Sequence, residues 1–125
     1  MMWETKLPKD NTTIEKWVEA LKEKSTPDGH YVNEIIKVQP GEIREVVRRG
    51  YQRCLLGNYY MFSYYVGEEP EIIKAWRSGF PLAYTEMVKI KFKPPSIVVE
   101  VSGQVSKRYD EFSYVKVYVC LTEND

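Results

Sequence analysis

The chain has 125 residues, 18 basic and 18 acidic side chains, and no net charge. Hydrophobic residues make up 43% and charged residues 29%. That balance excludes a disordered tail, a collagen-like fibre and a polyelectrolyte. A chain of this length buries about two-thirds of its unfolded surface, so one compact domain over residues 1–125 is expected to fold without staples.

Cys54 and Cys120 are the two cysteines. Two thiols with no CxxC pair do not make a disulfide framework, so both read as reduced, buried residues of an intracellular protein. Charges at Glu4 and Lys6 come too early for the apolar region of a signal peptide. The longest uncharged run, Cys54 to Gly67, has 14 residues; a spanning helix needs about 20 apolar ones. A cytoplasmic protein with no membrane partner is the expectation. Lys and Glu total 26 while Asn and Gln total seven, a composition that leans toward a thermophile.

Residues 12–24 read as an amphipathic helix. Thr12 and Glu15 form a capping box, and Ile14, Trp17, Val18 and Leu21 share a face. Ser25–Gly29 is a turn by its chemistry. Residues 31–38, with Val32, Ile35, Ile36 and Val38, suit a strand. Pro40-Gly41-Glu42 then reads as the opening of a second helix. Its apolar stripe is Ile43, Val46, Val47, Gly50, Tyr51, Cys54 and Leu55, and Gly57 is its stop. Residues 59–66 are aromatic strand formers. Glu69-Pro70 is expected to start a short third helix, with Ile72, Ile73 and Trp76 buried and Gly79 at its end. Residues 85–93 alternate apolar and lysine, and Pro94-Pro95 breaks that strand. Strands over 97–102 and 112–121 flank a polar loop near 103–111. The order α-β-α-β-α-β-β-β predicts an α+β fold: a mostly antiparallel sheet of four to five strands with about three helices on one face.

Two basic features point to phosphate chemistry. Arg44, Arg48, Arg49 and Arg53 fall on the outer face of the expected second helix, and guanidinium forks match phosphate oxygens in two-point contacts. Arginines late in a helix also serve its dipole and its solubility. Lys89, Lys91, Lys93 and Lys116, with Tyr114 and Tyr118, would line an outer sheet face if their strands are neighbours. Rings for bases and ammonium groups for phosphates suit a single-stranded nucleic acid. Outward lysines can equally protect a sheet against strand addition. Tyr59, Tyr64 and Tyr65 belong to an aromatic block that suits a homodimer contact. Glu68, Glu69 and Glu71 fit the start of the expected third helix.

Catalysis finds little support. His30 is the single histidine, so no His cluster or Cys–His metal spacing exists, and no cofactor or metal is expected. There is no P-loop, GxGxxG or GxSxG. Asp28 and Glu34 could serve a carboxylate–lysine nuclease site, but no Glu-x-Lys follows at a fitting place. The segment Gln52–Tyr60 is similar to the peptide box that binds sliding clamps: a Gln, an aliphatic residue three on, then paired aromatics. Here the aromatics come one residue late, and no function is carried over. Two readings stand: a non-catalytic nucleic-acid-binding protein that prefers single strands, or a small homodimeric interaction or accessory module that binds no nucleic acid. A neutral chain opposes the first, although charge segregated over a surface still makes a local field.

Overall fold

The computed structural model describes residues 14–55, 57–105 and 112–122, with no account of the Phe112 side chain. These contain one helix, α1 (Ile14–Leu21), and seven strands. The strands are β1 (Glu34–Lys37), β2 (Ile43–Gln52), β3 (Asn58–Gly67), β4 (Glu71–Phe80), β5 (Ala83–Lys91), β6 (Ser96–Val105) and β7 (Phe112–Cys120). They form one mixed sheet in the order β1-β7-β6-β3-β2-β5-β4. Only β1 runs parallel to its neighbour, β7. Thr12, Leu56 and the loop residues 106–111, which carried parts of the sequence reading, lie outside the described residues, as do the terminal residues 1–6.

The α+β expectation with three helices is therefore corrected: the fold is mostly β. The expected helix from Pro40 to Gly57 is β2 and the turns around it, and the one after Pro70 is β4. Pro40-Gly41 makes a turn instead of a helix start. Gly41 takes φ 82°, a left-handed conformation open to glycine, and its N–H donates to the Phe92 carbonyl. The helical spacing has a physical source. The pairing of β2 with β5 shifts between Val47 and Arg49, and that of β4 with β5 shifts between Ile72 and Lys74. Each shift is a bulge, which adds one residue to a strand and breaks its period of two. Val46 and Arg49 thus pair with Val88 and Glu86, two residues of β5 on one face. Ile72 and Ala75 pair with Ile90 and Val88 in the same way. A spacing of three along β2 or β4 copies a helix, while Val, Ile, Tyr and Trp favour the strand.

Hydrophobic burial gives the sheet two cores. On one side α1 packs Trp17 and Leu21 against Tyr64 and Val66 of β3, Ile97 and Val99 of β6, and Val115, Val117 and Val119 of β7. Trp17 is fully buried and meets the Tyr64 ring edge-on at 6.2 Å. The second core lies against the opposite side of β6 and β7. There Val98, Tyr118 and Cys120 meet Val38, Val46 of β2, Val88 and Ile90 of β5, and Phe92. Strands β2 and β3 pair only through Arg49–Gln52 and Tyr59–Phe62. Beyond that point β2 leaves β3, and its first half covers the second core. The bulge sits at the parting, where a local rise in twist redirects a strand. Glu100 of β6 holds it, accepting the Val47 N–H at 2.9 Å.

Candidate nucleic-acid interface

The register of four neighbouring strands sets out a second surface on the same elements. Side chains of directly paired residues share a face. One row across β3, β2, β5 and β4 is Phe62, Arg49, Glu86 and Arg77. The next row is Tyr60, Tyr51, Tyr84 and Gly79. Three tyrosines therefore stand side by side on three adjacent strands, about 4.8 Å apart by strand spacing. All three are half-buried. Tyr60 also stacks with Phe62, ring centres 6.2 Å apart and planes 16° off parallel.

Charge sits in the row beside them. Glu86 bridges two arginines: Arg49 Nε donates to Oε2 at 2.7 Å, and Arg77 Nη1 lies 3.6 Å from Oε1. The guanidinium of Arg77 lies over the Tyr84 ring, with Cζ 4.3 Å from its centre. Roughly half of each arginine side chain is exposed (51% and 52%), against 13% for Glu86. The carboxylate is thus tucked beneath two accessible guanidinium groups. Arg48, the residue added by the β2 bulge, joins Arg49, Arg77 and Glu86 around an open cleft of about 430 Å³, whose lining Ala75, Trp76 and Met87 complete. Its described lining includes three arginines and one glutamate. Next to half-exposed rings, exposed guanidinium groups suit a polyanion carrying flat groups.

The residues singled out from the sequence disperse over the molecule. Arg48 and Arg49 reach this cleft. Arg53 follows β2, exposed, with its backbone N–H donating to the Leu82 carbonyl. Arg44 belongs elsewhere: its Nε donates to Glu42 at 2.7 Å, and its guanidinium lies 5.6 Å from the centre of the Tyr118 ring. The Glu42 carboxylate holds that guanidinium more firmly protonated, and Arg44 lowers the Glu42 pKa in turn. Lys89 and Lys91 point away from the Arg49 row and alternate with acids, Lys91 between Ile43 and Glu71, Lys89 between Glu45 and Lys74. Lys93 is exposed just beyond β5.

Strands β5 and β7 are separated by β2, β3 and β6, so the lysines of β5 and the Lys116–Tyr118 segment do not form one surface. Lys116 lies 3.9 Å from Glu100. Tyr118 is 5% exposed in the second core, and burial pushes its phenol up. Tyr114 donates to Glu34 at 3.0 Å, which raises its pKa. In the tyrosine block, Tyr64 is buried beneath α1, Tyr65 packs beside the second core, and Tyr59 is exposed.

Sequence reasoning missed Tyr51, Tyr60, Tyr84, Glu86 and Arg77 as one group. Their chemistry is visible in the sequence, but their adjacency exists only after β4 is read as a strand and both bulges are placed. Other chemistry is sparse. His30 is exposed in a turn, its Nδ1 3.2 Å from Asp28. Both cysteines are free; Cys120 is buried, which pushes its thiol up, and Cys54 is half-buried. Among the described residues no group of three or more His, Cys, Asp or Glu side chains could hold a metal ion, and no helix is long and apolar enough to cross a membrane. No family model, no curated protein and no solved structure matches this chain.

Proposed function

We propose that the protein binds single-stranded nucleic acid, without catalysis, across the β3-β2-β5-β4 face. The observation that carries this reading is the row Tyr60, Tyr51 and Tyr84 lying next to the row of Arg49 and Arg77. Bases stack on aromatic rings regardless of sequence, and guanidinium groups meet the phosphates that run beside them. A duplex hides its bases within its stack, so the tyrosine row favours an unpaired strand. The neutral net charge is compatible with this reading, because three arginines gather at the cleft and charge segregated over a surface makes a local field.

Fluorescence anisotropy with labelled single-stranded DNA, RNA and duplex DNA at two salt concentrations tests it. Single strands are expected to bind more tightly than duplex and to weaken as salt rises. Arg77→Glu should weaken every single-stranded ligand and flatten the salt dependence. Absence of binding to all three at low salt rejects the proposal and leaves the interaction-module reading.

A further inference from the structure

We infer that β4 is a self-association edge, at which two copies of the chain pair antiparallel and join their sheets. The two edges of the sheet differ sharply. At one end β1 has four residues, bounded by Glu34 and Lys37. A short, charged strand is a blunt edge. At the other end β4 has ten residues, and among the described residues no strand pairs with its outer side. A free edge presents unpaired backbone N–H and C=O groups along its length. Exposed apolar side chains accompany it: Ile73 at 46%, Phe80 at 78%, and Leu82 in the following turn at 59%.

The occupant follows from the strand's own sequence. Its charges are Glu71, Lys74 and Arg77. Two-fold pairing fails with Lys74 or Arg77 on the axis, where like charges would face each other. It succeeds with Ser78 on the axis, where Arg77 faces Gly79 and Trp76 faces Phe80. It also succeeds with Trp76 on the axis, where Arg77 faces Ala75 and Lys74 faces Ser78. The rows set by β5 place Trp76, Ser78 and Phe80 on one face, so either register brings large apolar rings together. The chain has no net charge, so two copies approach without long-range repulsion. Such a contact is isologous and closed, which stops it from continuing into a fibre. A single strand pair lies at the small end of specific interfaces, so a weak, concentration-dependent dimer is expected. A two-fold normal to the joined sheet keeps both arginine–tyrosine faces on the same side.

Analytical ultracentrifugation of the full chain, without nucleic acid, is the test. Omitting the ligand separates this inference from the nucleic-acid reading, which can fail alone. The weight-average mass should rise with concentration from 14.7 kDa toward twice that value. Ser78→Lys places like charges across the axis in one register and against Lys74 in the other. It should weaken the dimer about tenfold or more while circular dichroism stays that of the parent. Ser78→Thr, a good strand former, should keep the dimer and controls for folding. A parent chain that stays monomeric at every concentration overturns the inference, and so does a dimer that survives Ser78→Lys unchanged.

Discussion

The same three strands, β2, β5 and β4, build two different surfaces one row apart. Arg44, Ile90 and Ile72 form one row, and Val46, Val88 and Ala75 the next, and these meet the second core. The following rows, from Arg49, Glu86 and Arg77 onward, are open, charged and aromatic. The boundary between them falls at the β2 bulge. Sheet geometry thus uses one extra residue to end a dry core and begin a wet surface on a continuous strand. Substitutions on the two sides of that boundary should separate cleanly, with core changes altering stability and open-row changes altering binding.

The largest expected effect lies in the core. Ile90 is fully buried, and Ile90→Ala should cost about 2–5 kcal/mol through lost burial and a residual cavity. Urea denaturation should show a lower midpoint at an unchanged slope. A cost below about 0.5 kcal/mol, the size of a surface change, would erase the contrast. Glu100→Ala acts on the boundary itself. It strips the part-buried Val47 N–H of its acceptor, which should cost about 1 kcal/mol, the low end for an unpaired buried donor.

Binding changes come next. Tyr84→Ala should weaken single-stranded oligonucleotides by about 1–3 kcal/mol, the measure of one stacked base, with the urea midpoint moving little. Glu86→Gln sharpens the account from the opposite direction. It releases Arg49 and Arg77 from their shared carboxylate, so affinity should rise and the salt slope steepen by about one unit. An affinity that falls instead would mean that Glu86 serves to position the two guanidinium groups.

A pH effect belongs to the other core. Burial under α1 raises the Tyr64 phenol well above its ordinary value of 10. Above that pH the unfolded chain loses this proton while the folded chain keeps it, so stability should fall as pH rises beyond 10, and fall less steeply in Tyr64→Phe, where Tyr118, Tyr114 and Cys120 keep raised values. A matching alkaline loss in Tyr64→Phe would assign the effect to other groups.

Much of the fold was legible wherever a strand keeps its period. Val88, Ile90 and Phe92 alternate with Lys89, Lys91 and Lys93, and the structure has β5 there with the apolar set in the core. Residues of β6 and β7 read as strands for the same reason, those of β3 from their aromatic strand formers, and Ile14, Trp17, Val18 and Leu21 mark the helix. The two bulged strands look helical in the sequence because a bulge turns a period of two into a local spacing of three. The candidate site spans β3, β2, β5 and β4, and its arginines sit on the two bulged strands, so it is hidden with them. Arg48 and Arg49 stand out in the sequence as charges, whereas the spacing places Arg77 in a helix and Tyr84 in the segment after it. Strand order was the second missing quantity, since no local pattern states that β5 and β7 stand four places apart in the sheet.

The most direct test is an amide chemical-shift titration of the labelled chain with a short single-stranded oligonucleotide. Shifts are expected to concentrate at Arg49, Tyr51, Tyr60, Arg77 and Tyr84, with Lys89, Lys91 and Lys116 left unmoved. Shifts centred on those three lysines, or none at saturating oligonucleotide, would contradict the proposed interface.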